Sequence, residues 1–372
     1  MSKSLRKLLL VLLGAGAVVL LLYRSRGAMG LEGFSWTRLG EVLAQTRVSL
    51  LVLSVATIYA AYGVRALRWM RFSRYIGHGS FASMYSATLI GFTGVFLLGR
   101  AGEPVRPILI ARKDGVPVSS AFGIYVLERI FDISNTVVIA GLSLLVFSPA
   151  ARPGGASQAL LTTARTGGTL LLAGLLAMIG FLVYFRLRGA VALERKLEAW
   201  KSRPGWHARA AGLFAGFGDG LQAIRTPGDL AAAIAYSALH WGLVILIYLW
   251  VPQSFGGRLG EVGLTGGLLV LAFTMVGSTM QLPGVGGGSQ VASFLAFTVI
   301  FGVEKEAAAA ASIVLWLITF AASSLAGVPL LIHEGWSMGE LRRLARAEAE
   351  AEAAGTHVSL PETPTPSGET RP

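Results

Sequence analysis

Apolar runs alternate with short polar stretches along most of the chain, and that alternation predicts its elements. The runs cover about residues 8–23, 48–64, 81–98, 128–147, 169–185, 230–250, 262–280, 291–301 and 307–332. A hydrocarbon core about 30 Å thick takes about 20 apolar residues in helical form, so the longer runs predict membrane helices. A mixed stretch over 24–47, with both charge signs around Trp36, predicts an interfacial helix. Two places break the rhythm. The run 81–98 passes directly into Gly99, Arg100, Ala101, Gly102, Glu103, Pro104, Val105 and Arg106. The runs 262–280 and 291–301 are separated by Gln281, Leu282, Pro283, Gly284, Val285, Gly286, Gly287, Gly288, Ser289 and Gln290. Each glycine in a helix interior costs about 1 kcal/mol relative to alanine, so neither stretch sustains a regular helix.

Charge decides how the first break is threaded. The second run ends in Arg65, Arg68, Arg71 and Arg74, which marks that end as cytoplasmic, and these arginines are expected to be solvated. If residues 81–98 crossed completely, Arg106, Arg112, Lys113 and the later cluster from Arg186 to Arg209 would face outward. A chain that turns back near 99–104 returns both clusters to the cytoplasm, and the second break forms the matching hairpin from outside. The predicted fold class is all-α: a polytopic membrane protein with about six full spans, residues 8–23 among them as an uncleaved first span, plus two opposed re-entrant hairpins in an inverted repeat. Residues 1–335 form the membrane domain and 336–372 a cytoplasmic helix and disordered tail, with the N- and C-termini cytoplasmic and the plasma (inner) membrane as location.

Composition narrows the chemistry. The 372 residues are 53% hydrophobic and only 14% charged, which excludes an ordinary soluble domain. The net charge of +12 sits in clusters between apolar runs, the pattern of loops facing anionic lipid, and no basic soluble domain stands ready for nucleic acid. With no cysteine, thiol catalysis and thiolate metal sites are excluded, and the five histidines show no metal-ligand spacing. No cofactor is implied.

Ionisable groups beside an apolar run carry the functional signal, because a charge at the bilayer centre costs about 3 kcal/mol even on lenient scales. Arg100 and Arg106 match phosphate oxygens, with Glu103 tuning them or contacting a substrate amine or hydroxyl. The plainer alternative is an internal Glu103–Arg106 pair that only fixes the hairpin. Glu128 and Asp132, four apart with Arg129 between them, either close the site from the next span or form interfacial salt bridges. No nucleophile, metal ligand or water source accompanies them, so the expectation is no enzyme. The stretch Pro283, Gly284, Gly287, Gly288, Ser289 and Gln290 lacks the G-K-[ST] ending of a nucleotide loop. It either presents backbone dipoles and a half-helix N-terminus to an anion or allows close helix packing. His240 is expected to be a buried hydrogen-bonding residue.

The set Gly102-Glu103-Pro104-Val105-Arg106, Glu128-Arg129-Ile130-Phe131-Asp132 and Pro283-Gly284 with Gly287 resembles the flippase-like lysylphosphatidylglycerol synthase transmembrane family, over about residues 6–335. The resemblance implies an all-helical transporter-like domain that moves a lipid or lipid-linked intermediate between leaflets. Its partners would be membrane lipids, anionic or lipid-linked. Some members add a soluble domain that transfers lysine from its tRNA to phosphatidylglycerol; only a short tail follows Ile332 here, so that activity is not implied. Members commonly carry a glutamate seven residues after the proline of the second motif, where this chain has Gln290. Gln290 removes an ionisable group, and with it the basis for a proton-coupled or cation-binding role of that hairpin. Two further readings of the same pattern are a membrane scaffold or accessory subunit for a lipid-modifying enzyme, and an ion or small-solute transporter.

Overall fold

The computed structural model describes residues 35–77, 79–146, 158–184, 223–278, 281–282 and 286–334, with backbone alone for 100–101, 281–282 and 286 and for parts of 158–184. The expected span over 8–23, the basic segment up to residue 222, Pro283, Gly284 and everything after residue 334 lie outside the described residues.

The interfacial stretch contains helix α1 (Trp36–Ala44), started by Ser35, whose hydroxyl accepts the Arg38 N–H at 3.2 Å. Helix α2 (Val48–Ser73) continues well past the end of its apolar run. Helix α3 (Phe81–Leu98) stops at Gly99, whose φ of 65° ends the regular helix, and passes through a 3₁₀ turn over Gly99–Gly102 into α4 (Val105–Asp114). The expected span over 128–147 starts about ten residues earlier, as helix α5 (Val118–Val146), followed by α6 (Gln158–Tyr184). Helix α7 (Pro227–Ser254) opens on a capping box: the Thr226 hydroxyl accepts the Asp229 N–H at 3.1 Å, and the Asp229 carboxylate accepts the Thr226 N–H at 3.0 Å.

After the short α8 (Gly257–Gly260) comes α9 (Leu264–Gly277), then two-residue strands β1 (Gln281–Leu282) and β2 (Gly286–Gly287), paired antiparallel. Helix α10 (Gly288–Leu295) runs into a π turn over Ala296–Ile300. The last span is α11 (Lys305–Trp316), a π turn over Leu317–Ala321 and α12 (Ala322–His333). Among the described residues, five stretches are long and apolar enough to cross a membrane: Val48–Ser73, Phe81–Leu98, Val118–Val146, Pro227–Ser254 and Lys305–His333.

Side-chain register shows where the two breaks send the chain. Helix α4 runs back along α3: a Cβ on Gly91 would meet the Arg106 Cβ at 2.5 Å, Lys113 donates to the Ser86 hydroxyl at 2.6 Å, and Ser83 donates to Asp114 at 3.0 Å. The end of α4 therefore lies beside the start of α3. Helix α10 returns along α9 in the same manner, with Gly277 against Gly288 and Ala292 at the tip, and Gly266 against Phe301 at the far end. Gly287, at φ 108°, makes the turn into α10 in a region that side chains avoid. The tip of the second hairpin, β1, touches the 3₁₀ turn at the tip of the first.

Two apolar clusters hold this arrangement. One joins Tyr62 of α2 to Trp241, Ile247 and Tyr248 of α7, Val270 of α9, Phe297 after α10 and Ala308 of α11. The other joins Trp69 and Phe72 of α2 to Met84 and Ile90 of α3, Leu109 of α4 and Ile124 of α5. Helix α2 belongs to both, so its polar side chains sit where the clusters meet.

Candidate functional site: a buried arginine and carboxylate cluster

Arg65, Arg68, Trp69 and Phe72 recur at i, i+3, i+4 and i+7, one face of a helix. That face is buried, and it takes the arginines with it: Arg65 is 5% exposed and Arg68 fully enclosed. The expectation that all four arginines at this end of α2 are solvated is therefore corrected for these two. Arg71 and Arg74 lie on the neighbouring stripe, about one-third exposed, and both pair with Asp229 at the start of α7. The tertiary reason is that α5 and α7 bring a carboxylate, a hydroxyl or an imidazole to each of these guanidiniums.

Glu128 and Asp132 stand one turn apart on α5 and face α2. Arg68 donates to Glu128 Oε1 and to Asp132 Oδ1, both at 2.8 Å, and to the Ser237 hydroxyl at 2.8 Å. Arg65 donates to Asp132 Oδ2 at 2.9 Å and lies 3.4 Å from Glu128. The Trp69 indole N–H donates to Glu128 Oε2 at 2.7 Å. Both carboxylates form salt bridges, and these are enclosed, with Glu128 0% and Asp132 6% exposed. His240 sits beneath, as expected of a buried hydrogen-bonding residue. Its Nδ1 faces the Ala61 carbonyl at 3.1 Å and so carries the proton, which leaves Nε2 to accept from Arg65 at 3.2 Å.

From the first hairpin, Arg106 reaches this cluster one turn beyond the tip and pairs with Glu128. Its guanidinium lies over the rings of Trp69 at 5.0 Å and of Phe92 and Tyr125 at 5.9 Å. Its Nη1 has no hydrogen-bond partner among the described residues. The alternative of an internal Glu103–Arg106 pair is not what forms. Glu103 instead accepts from the Tyr125 hydroxyl and lies 3.5 Å from Arg129, which donates to Tyr125 at 2.9 Å. The reason is geometric: Glu103 precedes the helix, so it does not share the face of α4 that presents Arg106. Glu103 and Arg129 are about one-third exposed and form the rim of the cluster.

Three enclosed guanidiniums, of Arg65, Arg68 and Arg106, thus face two enclosed carboxylates, and the rim pair is neutral. Among the described residues, one positive charge is left in excess. Charges held out of water need compensation, so such a cluster is poised to accept an anion beside Arg106.

The remaining expected site residues fall in two groups. Gly102 packs against Gly94 and lets the hairpin tip close, and the side chain of Arg100 lies outside the described residues. Gly287, Gly288, Ser289 and Gln290 form the entry to α10, at the tip of the other hairpin, with Ser289 buried. Sequence reasoning missed Arg65, Arg68, Trp69, Tyr125 and Ser237. The signal was present in the helical spacing of Arg65 and Arg68 with Trp69 and Phe72, which places arginine and aromatic rings on one stripe.

Fold and site together define a polytopic helical membrane protein with a charged cluster enclosed among its spans. A family model described as the lysylphosphatidylglycerol synthase TM region matches residues 7–327, and the chain belongs to that family. A curated relative, the "Glycosyltransferase AglD" of Haloferax volcanii, is 30% identical over 125 residues, covering 32% of this chain and 20% of that protein. The chain spans about a fifth of that relative's length. No solved structure matches.

Proposed function

We propose that the protein is a non-enzymatic transporter that moves an anionic lipid or lipid-linked intermediate between leaflets of the plasma membrane. The observation that carries this reading is the excess positive charge, among the described residues, of the enclosed arginine cluster beside the tip of the first hairpin, with Arg106 Nη1 lacking a hydrogen-bond partner among those residues. A phosphate beside Arg106 neutralises the excess and uses the free N–H, and a guanidinium fork suits its oxygens. The acyl chains stay in lipid while the headgroup enters. Membership of the family and the partial likeness to a glycosyltransferase both agree with work on membrane lipids.

Two hairpins whose helices return along themselves and whose tips touch support re-entrant elements entering from opposite sides, with the termini in the cytoplasm. Irregular backbone at membrane depth is tolerated where protein or a watery cavity surrounds it, as at these tips. Alternating access then follows from rocking one hairpin and its neighbours against the other.

The test is leaflet transfer of a fluorescent phosphatidylglycerol analogue in liposomes holding the purified protein. Arg106→Gln is expected to slow transfer at least tenfold, and Arg38→Gln, in an exposed pair with Glu304, to leave it unchanged. Wild-type protein that moves no lipid, or equal rates for wild type and Arg106→Gln, overturns the reading.

A further inference from the structure

A second polar site lies across the aromatic wall from the arginines. Thr274 of α9, Ser289 and Ser293 of α10, and Leu315, Trp316, Thr319 and Phe320 of the last span line a narrow void that, as it stands, does not admit a water molecule. Phe92 and Tyr62 separate the two places. The Arg65 guanidinium lies 5.1 Å over Phe92, Phe92 packs on Tyr62 at 4.9 Å, and the Tyr62 hydroxyl donates to the Thr319 carbonyl at 3.2 Å. Phe96, one turn along α3, packs on Trp316 at 5.6 Å.

The hydrogen-bonding inventory of this void is specific. Thr274, Ser293 and Thr319 have spent their hydroxyl protons on the carbonyls of Val270, Ser289 and Leu315, at 2.7, 3.0 and 2.7 Å. Their oxygens therefore face the void only as acceptors. The Ser289 hydroxyl, in a residue 3% exposed, and the Trp316 indole N–H have no partner among the described residues, and both are donors. A buried polar group left unpaired is costly, so this arrangement lacks a ligand group that both accepts and donates. Among the described residues, no ionisable side chain lines the void. A cation is disfavoured by the start of α10 and by the arginines beyond Phe92. A fully charged anion gains two donors but meets three acceptor oxygens. A hydroxyl satisfies both sets.

We propose that this void is the shut form of a subsite for the uncharged, hydroxyl-bearing part of the transported headgroup, a polyol or sugar, whose phosphate is held at Arg106. The inference rests on the transport reading above. The wall that must yield contains the π turn over Leu317–Ala321, an arrangement that recurs at functional sites.

Binding to the purified full chain in detergent tests it, with lipids that share one phosphodiester charge and differ in hydroxyls. Phosphatidylglycerol or phosphatidylinositol, whichever binds better, is expected to bind about tenfold more tightly than phosphatidylmethanol, the factor conferred by about two net hydrogen bonds. Ser289→Ala and Thr319→Val, each removing one of those hydrogen bonds, are expected to cut that ratio to about threefold while leaving phosphatidylmethanol affinity unchanged. Arg106→Gln is expected to weaken all three lipids alike. If Ser289→Ala fails to fold, Trp316→Phe replaces it. Equal wild-type affinity for hydroxylated and methyl lipids, with the Arg106 dependence intact, overturns the subsite alone; no Arg106-dependent binding of any lipid overturns the transport reading with it.

Discussion

Glu128 is the hinge of the charge cluster, and replacing it with its isostere tests whether the cluster is one electrostatic unit. The carboxylate accepts from Arg68 at 2.8 Å and from Trp69 at 2.7 Å, pairs with Arg106 and lies 3.4 Å from Arg65. Glu128→Gln keeps the volume and one acceptor oxygen, so no cavity opens. It leaves Asp132 alone against Arg65, Arg68 and Arg106, and the enclosed excess rises by one charge. Breaking a buried ion pair from one side costs about 3–5 kcal/mol, against about 1 kcal/mol or less for an exposed pair such as Arg38–Glu304. The assay is denaturation of purified protein in detergent micelles, followed by tryptophan fluorescence, for Glu128→Gln, Glu304→Gln and the double variant Glu128→Gln with Arg106→Gln. The double variant restores the original excess and is expected to recover about 1–3 kcal/mol relative to additivity. A single-variant loss below about 1 kcal/mol, or strict additivity, refutes the argument.

Removing the indole donor in Trp69→Phe leaves Glu128 Oε2 with Arg106 alone; a loss of about 1–3 kcal/mol in the same denaturation assay is expected. Gly287→Ala forces a side chain to φ 108° at the second tip, which is expected to cost about 1–3 kcal/mol, whereas Gly40→Ala, in α1 with open space around it, is expected to be neutral or slightly stabilising. Because the chain has no cysteine, single cysteines at the exposed positions Pro117 and Arg258 report topology cleanly. The opposed-hairpin arrangement expects the first to be labelled from the cytoplasm and the second from outside, and labelling of both from one side contradicts it.

Much of the architecture was legible before any coordinates. The apolar run over 81–98 coincides with α3, because a run of that length with a glycine stop has only one stable form in lipid. The breaks after Leu98 and before Gly288 were marked by glycine and proline, residues whose backbone effects are local and so survive in any tertiary context. Which charges are enclosed was not legible in this way. Burial of Arg65 and Arg68 depends on partners 60 or more residues away, Glu128, Asp132, Ser237 and His240, and local pattern carries no information about such distances. The same holds for Glu103, whose sequence neighbour Arg106 turned out to be the partner of Glu128.

The sequence by itself determined that this chain lives in a membrane, where its helices break and which family it joins, since hydropathy, glycine placement and short motifs are one-dimensional properties. Only the tertiary structure decided that three arginines and two carboxylates share one enclosed cluster with a positive excess among the described residues, and that Ser289, Trp316 and three hydroxyl oxygens line a narrow void across the aromatic wall. Those facts arise from helices that meet in space after long separations along the chain. Electrostatic and hydrogen-bond satisfaction depends on distance in three dimensions.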